Sequence, residues 1–230
     1  MLIDIHIPTD QGAEALHAAL ESARDARLDG VVLTWTDAPR PDEVPRVGDL
    51  ASFHAAEITT DKGVLIAIPP ALDGDLQESL WSLKDQSFAA MVAWCRERNW
   101  ALVLGQPFAD GALLASNSQG PVAQVDAVEV TNGDEPLLVR DLAIEAALGE
   151  KRGIAASGGG DPRRIGRFST LLLPNRSGQA GIVQAICQGA IWVVETGERK
   201  VPVQGNDGSA RKRGRRRRRR KPSKGNQSAR

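Results

Sequence analysis

From Met1 to about Glu195 short apolar runs alternate with segments of helical period, and this alternation constrains the fold more than any other feature of the chain. Met1–Ile7 reads as a strand, and Gly12–Arg27 as a helix whose apolar face is Leu16, Ala19, Leu20 and Ala23. "DGVVLTW" is a short buried strand after a glycine turn. "EITTDKGVLIAI" predicts two strands joined by Asp61-Lys62-Gly63, the glycine supplying a positive φ. A long helix is predicted over Asp75–Arg98, with Phe88, Met91, Val92 and Cys95 on its inner face. "WALVLG", "VDAVEV", "GIAASG", "FSTLLL" and "AIWVVE" read as further strands, and Pro136–Gly149 and Gln179–Gly189 as further helices. Repeated βα units predict an α/β fold with a mostly parallel sheet, closed as a barrel or open and doubly wound. In either case polar residues at the strand C-termini gather at one rim, where sites form.

A chain of 230 residues with 41% hydrophobic content can bury a sizeable core. Its two cysteines, Cys95 and Cys187, have no second Cys or His at metal-ligand spacing, so they read as buried thiols and fit a reducing, cytoplasmic setting. No apolar run approaches the roughly 18 residues of a transmembrane segment. Asp4 stands where a signal peptide would place a basic residue before its apolar core, so secretion is not expected.

The formal net charge of zero conceals a division. Residues 211–230 hold 12 of the 29 basic side chains and none of the 29 acidic ones, which leaves residues 1–210 at −12 and the tail at +12. The tail basic residues are Arg211, Lys212, Arg213, Arg215, Arg216, Arg217, Arg218, Arg219, Arg220, Lys221, Lys224 and Arg230. Consecutive arginines repel one another and bury nothing, so the sequence predicts a disordered arm over 205–230 attached to a folded domain over 1–204. Such an arm suits nucleic-acid phosphates, and without aromatic residues it would read backbone charge and not base sequence. Guanidinium groups, which fork onto phosphates and stack on exposed bases, favour RNA over DNA. An acidic protein, an anionic surface or the acidic body itself are the competing partners.

The acids and imidazole at predicted strand ends are Asp4, His6, Glu57, Glu129 and Asp161. Strict alternation would turn Asp4 and His6 to one face of the first strand. Order and context point further. Asp4-Ile5-His6-Ile7-Pro8-Thr9 stands against D-x-H-x-H-T, Thr34-Trp35-Thr36 against T-D-H, and Glu57 in "AAEITTDKG" against a strand ending in glutamate. Gln106-Pro107-Phe108 stands against H-P-F, Val128-Glu129-Val130-Thr131-Asn132-Gly133 against I-E-V-x-N-G, and Gly159-Gly160-Asp161-Pro162-Arg163, followed by "IGRFST", against G-S-D-x-H. In this order the motifs resemble the PHP (polymerase and histidinol phosphatase) superfamily of metal-dependent phosphoesterases over residues 1–195. The resemblance implies a distorted (β/α) TIM-like barrel of the PHP type.

The departures fall on the family's metal ligands. The family's metal centres use several histidines, and those positions here hold Pro8, Thr36, Gln106 and Arg163. Proline and arginine cannot ligate a metal, and threonine and glutamine are poor ligands for a transition metal. His17 lies on a helix flank, and His54 sits three residues before Glu57, on the opposite strand face. The resemblance therefore implies a remnant rim site of Asp4, His6, Glu57, Glu129, Asp161 and Arg163, with Arg163 as charge partner for Asp161 or Glu57. "SGGGDPRR" with Arg163 and Arg164 also offers an anion pocket, as the lesser reading.

The expectation is a catalytically inactive PHP-like binding or scaffold protein without a cofactor, its tail holding nucleic acid. The alternative is a phosphoesterase with one divalent metal, Mn or Zn, on His6, Glu57, Asp161 and water.

Overall fold

The computed structural model describes residues 1–10, 12–36, 45–72, 86–105, 119–131, 152–158 and 161–196, all within one unit, Met1–Arg199. The helix expected over Pro136–Gly149, Gln106 and the basic arm lie outside the described residues.

The described chain forms β1 Leu2–Pro8, α1 Ala13–Asp25, β2 Gly30–Thr36, β3 Ala51–Thr60, β4 Gly63–Ile68, α2 Phe88–Glu97, β5 Ala101–Gly105, α3 Gln119–Gln124, β6 Ala127–Thr131, β7 Arg152–Ala155, β8 Phe168–Leu172, α4 Gln179–Cys187 and β9 Ile191–Glu195. A single 3-10 turn, Pro162–Arg164, precedes β8. All nine strands join one sheet in the order β7-β6-β5-β4-β3-β2-β1-β8-β9. The ends of this order meet. Thr170 Oγ1 in β8 donates to the Ala155 carbonyl and accepts from its N–H, both at 2.9 Å, and a Cβ on Gly153 would lie 3.6 Å from Val193 of β9. The result is a mixed α/β fold whose sheet is barrel-like and nearly closed.

The sheet is not mostly parallel. Four of its eight neighbouring pairs, β1–β8, β3–β4, β4–β5 and β8–β9, are antiparallel. The Asp61–Gly63 turn, with Gly63 at φ 114°, folds β4 straight back on β3, and a strand joined by so short a turn can only run antiparallel.

Residues opposite one another in register share a face, so the pairings Val32–Phe53, Thr34–Ala55, Thr36–Glu57, Glu57–Ile66 and Ile66–Val103 trace the interior. Phe53, Ile66, Ile68, Val103 and Ala127 fill it together with Ile182, Val183 and Ile186 of α4. The alternate residues pack outward. Leu65, Leu102 and Val128 meet Phe88, Met91, Val92 and Cys95 of α2, while Val31, Leu33 and Trp35 meet Leu16, Ala19, Leu20 and Ala23 of α1.

Helix α2 departs from expectation. Ser87 is extended, at φ −65° and ψ 154°, and its hydroxyl accepts the Ala90 N–H, so it caps a helix that begins at Phe88 and is not the continuation of one from Asp75. Asp61 Oδ1 accepts the Phe88 N–H at 2.9 Å, which ties the β3–β4 turn to the same helix end. The short helix α3 carries too few residues for a periodic apolar face, and sequence periodicity missed it.

Candidate functional site

Three strands deliver the site. His6 is 1% exposed; its Nδ1 lies 2.9 Å from Glu129 Oε1 and its Nε2 lies 2.9 Å from Glu57 Oε2. Glu129 on β6 is out of contact with solvent, whereas the Glu57 side chain on β3 keeps 17% of its surface exposed. A histidine bonded through both ring nitrogens to two carboxylates is best satisfied as an imidazolium that donates two N–H groups.

The electrostatics agree. Burial opposes a charge on His6, but the Glu129 charge and the hydrogen bonds that His6 donates to Glu129 and Glu57 outweigh it and hold the imidazole well above its ordinary pKa. Burial likewise opposes ionisation of Glu57, yet the hydrogen bond to His6 and the His6 charge bring its pKa below the usual carboxylate value.

Asp4 does not share the His6 face as strict alternation requires. The β1–β2 register shifts between Asp4 and Ile7, an irregularity that re-aims side chains. Ile3 and Ile5 join the interior cluster, Ile7 joins the α1 layer, and His6 turns to Glu57 and Glu129. Asp4 Oδ1 instead accepts the backbone N–H groups of His6 at 3.3 Å and Ser157 at 3.2 Å, and Oδ2 accepts the Ser157 hydroxyl. Burial pushes Asp4 up to about 6 against these three hydrogen bonds. Sequence reading missed Ser157; its one signal was a small polar residue just past the end of β7.

Asp161 and Arg163 pair with each other. Arg163 Nε and NH2 lie 2.9 and 2.8 Å from the two Asp161 carboxylate oxygens, and Asp161 also accepts the Arg163 backbone N–H as the cap of the 3-10 turn. The guanidinium holds the Asp161 carboxyl below its ordinary pKa. Arg163 in turn is 83% exposed and Asp161 28%, so this ion pair belongs to the surface.

His17 is exposed, 3.7 Å from Glu21 one helical turn on. His54 is buried, and its Nδ1 accepts the Trp35 indole N–H at 3.0 Å, which leaves Nε2 to carry the proton in the neutral ring. Gln179 at the start of α4 clamps the His54 backbone at both its N–H and carbonyl, a contact no sequence signal announced.

The donor set can be tested against a metal. A doubly donating imidazolium has no lone pair to give, so His6 ligates only if it loses its proton and one carboxylate bond. Among the described residues no group of three or more His, Cys, Asp or Glu side chains is arranged to hold a metal ion. The arrangement present is an internal ion-pair triad with one edge, Glu57, open to solvent.

No helix among the described residues is long and apolar enough to cross a membrane. No family model and no curated protein matches the sequence. The fold does have a counterpart: the crystal structure of PsfC from Pseudomonas syringae PB-5123 superposes with a TM-score of 0.69 at 14% identity, over 85% of this chain and 91% of that one. The chain is thus similar in fold to PsfC over nearly the whole of both molecules.

Proposed function

We propose that this protein is a degenerate PHP-like domain in which the place of a metal centre is taken by the Glu57–His6–Glu129 triad, and that it works as a non-catalytic binding module with an Arg-rich arm for nucleic-acid phosphates. One observation carries the reading: both ring nitrogens of His6 are held by carboxylates 2.9 Å away. An imidazole so held offers neither a lone pair to a metal nor a base to a water. The order of the sequence motifs and the barrel-like sheet support the family, and the +12 arm beside a −12 body supports a polyanion as partner, RNA ahead of DNA.

The test is elemental analysis of the purified protein together with hydrolysis of a generic phosphate ester in Mn or Zn. The expected result is no stoichiometric metal and background turnover, unchanged by His6→Ala. Turnover lost in His6→Ala or Asp161→Asn would replace this reading with that of a one-metal phosphoesterase. RNA binding by the full chain, absent from residues 1–204, completes the test.

A further inference from the structure

A second site lies away from the triad, where β4 ends and β5 begins. A cavity of about 300 Å³ opens there between the C-terminal end of α2 and the outer turns of α4, and its polar lining is Arg96, Asn99, Arg176, Gln184 and Gln188, with Trp100 in the wall. Its volume is at the lower end of those that hold small molecules.

Its charge is unlike that of the body around it. Residues 1–210 carry −12, yet the lining of this cavity contains two arginines and no carboxylate. Arg96 is fixed by its bonds to Asp126 at 2.7 Å and to the Gln124 carbonyl at 2.9 Å, so its charge is partnered by a carboxylate that also lies against Cys187 of the lining. Arg176 is exposed and is placed by backbone packing: its carbonyl lies where a Cβ on Gly181 would be, only 2.0 Å away, so the Pro174–Gly178 loop folds directly onto the first turn of α4.

The second observation is one of unmet hydrogen bonds. Trp100 is 1% exposed and its Nε1 has no partner among the described residues; Gln184 Oε1, also buried, has none. A buried donor and a buried acceptor left unpaired each cost stability, and native proteins seldom leave both in one wall. Both residues line the cavity, whose guanidiniums suit an anion.

We infer that this cavity binds a small organic phosphate, its phosphoryl group held at Arg176 and Arg96 and the rest of the molecule lying against Trp100 and Gln184. The site uses no residue of the triad and does not depend on the basic arm.

Calorimetric titration of the full chain with uridine 5′-monophosphate, inorganic phosphate and uridine tests this. The expected result is saturable one-to-one binding of the monophosphate, weaker binding of inorganic phosphate, and none of uridine. Arg176→Gln should weaken the monophosphate by about tenfold or more, and Ala180→Phe, which fills the cavity without removing charge, should abolish it. Both variants keep the basic arm, so binding to the arm would be the same in all three proteins. Circular dichroism and the unfolding midpoint check that each variant is folded. Equal affinity in the parent, Arg176→Gln and Ala180→Phe proteins would overturn the proposal, as would no saturable binding up to about 10 mM.

Discussion

His6 and Glu129 are 123 positions apart in sequence and 2.9 Å apart in the fold, both shut off from water. A pair this deep is expensive to break from one side. Glu129→Gln leaves a buried imidazolium with one charge partner, and the expected loss is about 3–5 kcal/mol of unfolding free energy. Removing both partners as His6→Met/Glu129→Leu should cost less than the two single changes added together, because no charge is then stranded. Urea denaturation of the four proteins measures the coupling; simple additivity would show that the pair does not act as a unit.

The same triad sets a pH window. His6 has a raised folded pKa, so its contribution is complete below its ordinary 6.5 and is lost as pH rises through the raised value. Glu57 has a lowered one, so its contribution is complete above 4.5 and is lost as pH falls through the lowered value. The triad should therefore stabilise most between about 4.5 and 6.5.

Asp4 acts in the opposite sense. Its folded pKa of about 6 exceeds the ordinary 3.8, so the stability it provides is complete below 3.8 and disappears as pH rises through 6. Asp4→Asn still accepts the His6 and Ser157 N–H groups but does not titrate. The stability difference between parent and variant should swing by about 3 kcal/mol across that interval, measured by denaturation at closely spaced pH values.

For the basic arm, six phosphate contacts by Arg215–Arg220 give an expected log–log salt slope of about −4 on single strands and about −5 on duplex, from ~0.7 and ~0.9 per phosphate. Deleting residues 205–230 should remove this binding and leave the unfolding midpoint unchanged. Equal affinity with and without the arm would move the nucleic-acid site to the body.

Two glycines should respond very differently. A Cβ at Gly181 would lie 2.0 Å from the Arg176 carbonyl oxygen, so Gly181→Ala should destabilise by about 1–3 kcal/mol. Gly120, in α3, has nothing within 4 Å of an added Cβ beyond its chain neighbours, but Pro121 opposes a Cβ on the helical residue before it, so Gly120→Ala should change stability by less than about 1 kcal/mol. Thermal unfolding of both variants reads the difference.

The strands were legible because their apolar runs are bounded by glycine and polar turns, and α1 because Leu16, Leu20 and Ala23 recur at helical spacing. The start of α2 was not, since the period of Phe88, Met91 and Cys95 can be traced upstream by eye while Ser87 breaks it locally through its extended backbone. Within the site, His6, Glu57 and Glu129 each stand on a predicted strand, but the contacts that join them are visible only in the fold. The separation of Asp4 from the His6 face was not legible either, because a register shift between parallel neighbours leaves no mark in the composition of either strand. Ser157 and Gln179 were hidden for a related reason: each acts through contacts to chain more than 120 residues away.

The place of β1 in the sheet bears on how a ribosome can deliver this chain. One side of β1 meets β2 within the first 34 residues, but the other meets β8, through Leu2–Leu171 and Ile3–Thr170. Between the synthesis of residue 34 and that of residue 171 the nascent chain therefore carries an apolar strand, Leu2-Ile3-Asp4-Ile5, with one backbone edge open. Such edges invite pairing with other chains, and closing a contact of this sequence separation is intrinsically slow. Until residue 171 emerges that edge has no native partner, and β1 is the segment in which misassembly would begin.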